Sequence, residues 1–462
     1  MLILATYDLI IRNGNVVLPD KVKKTDMAIK DGIIVAIEDD ISDTSKEERN
    51  ADGYYIFPGL IDIHVHFNDP GRAEWEGFAS GSQMIAAGGG TTFFDMPLNG
   101  VPSTTDTKAL LEKVEMAESK SVVDFALWGG LVPGNIHELK GLAENGAIGF
   151  KAFLSESGNE EFERVDDLTL IAGMKEIASL KKILALHAES ATITEFLTKE
   201  KVTNGHLTAD DYLASRPIAA EVEAVERAIA YARITGCPLH FVHISSEEAI
   251  KKITAAKAMG QDISVETCAH YLLFNHNDLK DKGAIAKCAP PLRKSKEQEK
   301  LIRLLIEGEI DMVSSDHSPS PFMLKDPTAH HLFSAWGGIS GGQFTLLALI
   351  ELAITYEIPF NKVAALIAGN PAERFDLKTK GHIEVGKDAD ITWISLEESY
   401  TVSEKNFFAK HKQSLYMKRT FPCAVKLTMN RGSVVFENGQ LVNRMEKGQW
   451  IKPQETKMST SS

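Results

Sequence analysis

Pro58-Gly59-Leu60-Ile61-Asp62-Ile63-His64-Val65-His66, running on into Phe67-Asn68-Asp69-Pro70-Gly71, is the stretch that decides the fold. Residues 60–66 form a short apolar run with β-branched Ile61, Ile63 and Val65. Pro-Gly punctuates its start and Asn-Asp-Pro-Gly its end, the pattern of a buried strand. His64 and His66 are two apart, so on a strand they share a side. Two imidazoles on one side at the end of a buried strand can hold one metal ion. The plainer reading is a pair of hydrogen-bonded core histidines, which a single histidine would favour.

Working outward, apolar runs alternate with helix-length segments. The runs are 60–66, 91–96, 122–128, 147–153, 183–188, 239–244, 263–267 and 310–316. Amphipathic stretches such as 106–119, 168–180, 219–234 and 294–307 lie between them. Eight strands alternating with helices predict an α/β fold, a closed (β/α)8 TIM-like barrel. No GxGxxG follows a strand, which speaks against an open doubly wound sheet. Before residue 58 the style differs: apolar runs are separated by Asn13-Gly14 and Asp31-Gly32, which read as hairpin turns. The style returns after Gly381, with the turn Asn430-Arg431-Gly432. The expected organisation is a barrel over 58–380 and a small β-sandwich domain built from both ends, 1–57 and 381–451. The tail 452–462 has little to bury and reads as disordered.

Composition narrows the function. Of 462 residues, 44% are hydrophobic and 25% charged, ordinary for a globular enzyme. The net charge of −14 argues against a nucleic-acid or anionic-membrane partner. No apolar run is long enough to span a bilayer, and residues 1–8 lack the makings of a signal peptide. Cys237, Cys268, Cys288 and Cys423 are widely spaced without a CxxC, as in a cytoplasmic protein with reduced thiols.

Catalytic groups in such barrels sit at the C-terminal ends of strands. There the sequence offers His64 and His66, Lys151 in GFKAF (149–153), His187 in LHAE (186–189), His243 in VHISS (242–246) and Asp316 in SDHSP (315–319). Each alone has an ordinary reading: His187 or His243 packed in a core, Asp316 capping a helix, Lys151 snorkelling to water. Together they converge on one rim, and a metal centre becomes the better reading. His240 and His317 lie near strand ends too, but alternation turns them away from His243 and Asp316.

The motif PGLIDIHVH (58–66) resembles the opening motif of the amidohydrolase superfamily, in its cyclic amidohydrolase group of allantoinases, dihydropyrimidinases or hydantoinases, and dihydroorotases. The likeness runs from about residue 5 to 440 and includes GKDAD (386–390). It implies a binuclear centre with two divalent metal ions, zinc first, with cobalt, manganese or iron as alternatives. By position, His64, His66 and Asp316 resemble the ligands of one ion, and His187 and His243 those of the other. Lys151 resembles the lysine that CO2 converts to N6-carboxylysine to bridge them. Asp316 also resembles the catalytic proton carrier. Burial makes the carbamate chemically reasonable, because a buried lysine readily loses its proton.

Within the group, DPGRAEWEG (69–77), DMPLN (95–99) and AWGGISG (335–341) resemble the allantoinase branch. Asn68 stands where dihydroorotases carry an arginine for a substrate carboxylate, which disfavours a carboxylated ring. Ser103 replaces an expected second proline. The resemblance implies hydrolytic ring opening of a cyclic ureide, allantoin to allantoate, by a homotetramer. Asn99, Cys288 and Gly338 are the substrate-binding candidates by family position. Alternatives are a dihydropyrimidinase or hydantoinase, a mononuclear deaminase, or a non-catalytic scaffold. Six intact ligand positions speak against the scaffold.

Overall fold

The computed structural model describes residues 6–443 and 447–453. Eight parallel strands make the barrel: β1 Leu60–Val65, β2 Gly90–Asp95, β3 Asp124–Leu127, β4 Phe150–Phe153, β5 Leu184–His187, β6 Leu239–Phe241, β7 Ile263–Cys268 and β8 Met312–Ser314. Every residue of these strands is buried, as continuous apolar runs require when helices cover one face and a packed interior the other. β1 to β3 form one hydrogen-bonded run and β4 to β8 another. Two seams close the ring. The His66 amide donates to the His317 carbonyl at 2.8 Å, and the Ile148 amide to the Leu127 carbonyl at 2.9 Å.

Several helices start where the sequence supplies caps. The Asp106 carboxylate accepts from the Ala109 amide at 2.8 Å before helix Thr107–Lys120, and Asp166 does the same for Thr169 at 2.7 Å before Asp167–Ser179. Helix Phe78–Ala87 packs so closely on the segment just after β1 that a Cβ on Gly81 would lie 2.5 Å from the Phe67 ring. Only glycine permits that approach.

β1 is not a regular strand. Its register against β2 shifts between Asp62 and Val65. The Ile63 carbonyl accepts instead from Trp128 Nε1 at 3.0 Å. A bulge of this kind re-aims neighbouring side chains, and it falls on the residue just before His64.

Both chain ends build a second sheet of nine strands. The ends meet where Tyr55–Pro58 pairs antiparallel with Ile391–Ser395, Pro58 opposite Ile391. The sheet branches at Tyr7–Val17, which pairs with Val22–Lys30 on one side and with Ser45–Asn50 and Tyr55–Pro58 on the other. Asp31-Gly32 and Asn430-Arg431-Gly432 turn hairpins as expected. Asn13-Gly14 does not: Tyr7–Val17 runs straight through it with a bulge between Ile11 and Gly14. Asn13 takes the positive φ of 61° there, and its amide is held by Asp26 Oδ1 at 2.9 Å. A turn is therefore unnecessary. Most of the tail expected to be disordered, 454–462, lies outside the described residues.

Candidate metal centre

β1 delivers His64 and His66 to the C-terminal rim of the barrel, and the segment after β8 delivers Asp316. His64 Nε2 and His66 Nε2 each lie 3.3 Å from Asp316 Oδ1. Ligand atoms of these three residues fall within 4.8 Å of one another, a spacing one metal ion can bridge. His243 continues the group, its ring centroid 5.4 Å from that of His64. His243 Nε2 is 3.0 Å from His187 Nδ1. Lys151 on β4 sits with its Nζ 5.0 Å from the Phe153 ring, and that ring stacks on His187 at 4.7 Å. The six residues expected at one rim are thus brought to one rim, in the chain His66, Asp316, His64, His243, His187, with Lys151 beside its last link. His243 and Asp316 both hold left-handed backbone, φ 40° and 45°, which side chains other than glycine rarely adopt.

The electrostatics follow from burial. All six are buried, Lys151 completely. Desolvation brings Lys151 down to about 7, although the charges of Glu266 and Asp316 pull the other way. Desolvation also lowers His66 to about 4 and holds His243 well below its ordinary value, so these two imidazoles are neutral near pH 7. Burial alone would raise Asp316, but the imidazoles of His64, His66 and His243 hold its carboxyl well below the usual range.

Two carboxylates behind the rim were not legible as site residues. Glu266, fully buried on β7, holds His64 Nδ1 at 2.6 Å and His240 Nε2 at 3.3 Å. Its Oε1 also accepts from the His243 amide at 3.3 Å. Glu189 holds His187 Nε2 at 2.9 Å and pairs with Arg216. Each fixes one imidazole of the rim cluster through its outer nitrogen, His64 by Glu266 and His187 by Glu189, the usual way a protein orients a metal-ligating histidine. The readable signal was an acid inside the apolar run Ser264-Val265-Glu266-Thr267. A fifth imidazole, His270, is buried after β7 within electrostatic reach of Asp316 and His64. His240 and His317 stay outside the cluster. His240 Nδ1 meets Ser264 Oγ at 2.8 Å, and His317 Nε2 meets Glu76 at 3.3 Å.

The donor set fits divalent metal. Lys151 Nζ, His66 Nδ1 and His243 Nδ1 are buried without a hydrogen-bond partner among the described residues. Unpaired buried nitrogens are costly unless something else takes their lone pairs. Neutral imidazoles with carboxylate suit zinc and its neighbours.

The substrate-binding candidates lie on loops around this rim. Asn99, after β2, is buried with its Oδ1 unpartnered and φ at 71°. Cys288 is buried, its carbonyl accepting from Tyr212 Oη at 3.0 Å. Burial, with Asp316 nearby, pushes its thiol up to about 12. Gly338 takes φ 112°, and a Cβ there would lie 2.4 Å from the Ser318 carbonyl oxygen. No hydrogen bond among the described residues ties these three directly to the histidines.

Comparison with known proteins gives the family. The amidohydrolase family pattern matches residues 55–435. The allantoinase of Bacillus velezensis is 52% identical over 98% of this chain and 99% of its own. That of Solibacter usitatus is 47% identical over 98% of each. Among solved structures, the L-hydantoinase (dihydropyrimidinase) of Arthrobacter aurescens superposes with a TM-score of 0.94 at 32% identity, covering 97% of this chain and 100% of that one. With near-complete coverage in each case, the chain belongs to the amidohydrolase family, among its allantoinases.

Proposed function

We propose that this protein hydrolyses allantoin to allantoate by opening one ring amide bond. The observation that carries the substrate is the 52% identity with an allantoinase over nearly the whole chain. The hydantoinases that share the fold are less similar, at 24 to 32%, and support the reaction class more than the ring.

His64, His66 and Asp316 would hold one divalent ion and His187 and His243 the other. Lys151 would complete the ligand set as N6-carboxylysine, its neutral amine adding to CO2 with release of a proton. The buried, unpartnered Nζ and its lowered pKa support that step. Zinc suits the ligand set, with cobalt, manganese or iron as alternatives. Bound there, the ions would supply a water acidified toward neutral pH and a Lewis acid for the ring carbonyl.

The remaining work falls to the chain's own residues. Asp316, kept ionised by its imidazole neighbours, accepts the proton of the attacking water. It returns that proton to the ring nitrogen as the C–N bond breaks, so no charged amide leaves. Asn99 and the backbones of Cys288 and Gly338 hold the ring through its carbonyl and N–H groups. Asn68 is uncharged, so that position supplies no cation for a ring carboxylate. No described helix is long and apolar enough to cross a membrane. The family resemblance supports a homotetramer, and the four widely spaced free cysteines support a cytoplasmic location.

The test is parallel turnover of allantoin, hydantoin, dihydrouracil and dihydroorotate by metal-loaded and chelator-stripped protein. Metal-dependent turnover dominated by allantoin is expected. Dominance of dihydrouracil or hydantoin would transfer the protein to the alternative. Turnover indifferent to complete metal removal would end the metal mechanism.

A further inference from the structure

The loop from β8 to helix Thr345–Tyr356 contains one helical turn, Phe322–Leu324, among its described residues. Long irregular loops in compact domains are usually functional. Two lysines hold it down. Lys287 and Lys325 are 8% and 5% exposed, and neither has a carboxylate within ion-pair distance among the described residues. Lysine is rarely buried without an anion. These amines meet main-chain carbonyls instead. Lys287 Nζ donates to Phe333 at 3.2 Å and Ala335 at 2.5 Å. Lys325 Nζ donates to Ala284 at 3.3 Å and Gly338 at 2.5 Å.

The bonding is reciprocal. Lys287 reaches from the 284–288 segment to the β8 loop, while Lys325 reaches from that loop back to Ala284. The Gly338 amide closes the circuit on the Lys287 carbonyl at 2.8 Å. Tyr212 completes it from the other side, its ring 5.2 Å from Lys287 Nζ and its hydroxyl on the Cys288 carbonyl. The assembled backbone abuts Ser318, two residues from Asp316, through the close approach at Gly338. Burial lowers Lys287 to about 7 and Lys325 to about 8, and even a neutral amine has the two N–H donors that each pair of carbonyls needs.

We infer that Lys287 and Lys325 are positioning residues: a two-lysine clasp that fixes the backbones of Cys288 and Gly338 as one ledge beside Asp316 for reading the substrate ring. The inference rests on the substrate roles proposed above for Cys288 and Gly338. Its consequence is that recognition depends on two side chains that need not touch substrate.

The test uses full-length, metal-loaded protein and Lys325→Met and Lys287→Met, which keep the stem and remove the donor. Amide exchange at Trp336 and Gly338 should quicken roughly tenfold or more in each. KM for allantoin should rise about tenfold with kcat within about threefold, since ring placement is disturbed and not the chemistry. Metal content should not change. Lys182→Met is the control: that buried amine donates to the Ala147 carbonyl at 3.0 Å, at the opposite end of the barrel. It should move neither loop exchange nor KM. Wild-type KM and exchange in both clasp variants would overturn the inference. So would a parallel loss of metal and global stability, which marks a merely structural role. If neither variant folds, the wild type decides: Trp336 and Gly338 amides must be protected like barrel strands, and exchange as fast as residues 328–330 refutes the clasp. If allantoin is not the substrate, the exchange arm stands alone and the kinetic arm moves to whichever ring is opened.

Discussion

Replacing Glu266 with glutamine isolates the contribution of the carboxylate behind the metal centre. Glu266 is fully buried, and burial would raise its pKa, but His64 and His240 hold it down to about 2. It is therefore an anion whose Oε1 takes the His64 Nδ1 proton and the His243 amide, and whose Oε2 takes His240 Nε2. Glutamine offers only one oxygen. If that oxygen faces His64, the new NH2 faces His240, which can switch tautomer because Ser264 Oγ serves either role at Nδ1. His64 then keeps its inward lone pair, and only the charge assistance is lost. The difference between charged and neutral hydrogen bonds is about 1–1.5 kcal/mol, or roughly tenfold. Metal affinity should fall by about that factor, the lower end of the 10–100-fold range for such partners. Glu266→Ala, which leaves both rings unanchored, should lie near the upper end. Chelator competition with metal content as readout measures both, with thermal melting to check the fold. Unchanged affinity in both variants would refute the anchoring role. A Glu189→Gln, Glu266→Gln pair adds a second decision, since independent sites give additive losses within about 0.5 kcal/mol and a bridged centre does not.

Four other perturbations have definite expectations. Asp316→Asn should cut kcat by about 10²–10⁴ with a smaller effect on KM, if Asp316 carries the proton as proposed. Lys151→Met removes the nitrogen proposed to carry the bridging carbamate, and elemental analysis should find fewer than two ions per chain after full loading. In Lys113→Met the buried Asp95 loses the ammonium 2.5 Å from its Oδ2, and an uncompensated buried carboxylate should cost about 3–5 kcal/mol by denaturant titration. Lys182 fixes a sign in pH: burial lowers it from 10.5 to about 8, so between those values the unfolded chain holds a proton the folded one has released. Its contribution to stability is fully present above about 10.5 and lost as pH falls through about 8. Lys182→Met should flatten that rise, and a parallel curve for variant and wild type would contradict it.

The barrel was legible because its strands are buried on both faces, so each appears as an unbroken apolar run bounded by turn residues. The same rule failed at Asn13-Gly14, where a dipeptide that favours positive φ served a bulge inside one long strand. Positive φ is what the local sequence encodes; whether it reverses the chain depends on partners such as Asp26 and Ile56, which lie far along the sequence. The rim residues were legible because strand ends fix their common location, whatever the loops do. The irregularity at Ile63 was not, since it arises from a tertiary bond to Trp128.

Glu266 and Glu189 mark the more instructive gap. A strand pattern reports which positions are buried, and at those positions an acid looks like an error in the pattern. An isolated buried carboxylate would shift its pKa and become neutral. Glu266 stays anionic only because two imidazole nitrogens and one amide point at it, and those come from β1, β6 and the turn after β6. A charged residue inside a fully buried strand is thus a demand for donors elsewhere in the fold. In this chain that demand is met in part by His64, whose other nitrogen faces Asp316 at the rim, and in part by His240, which lies outside the cluster. Searching the apolar runs for their misfit acids, and not only the strand ends for histidines, would have found this anchor from sequence. Glu189 would have escaped that search, because it lies beyond the end of β5 in a segment with no strand period to violate.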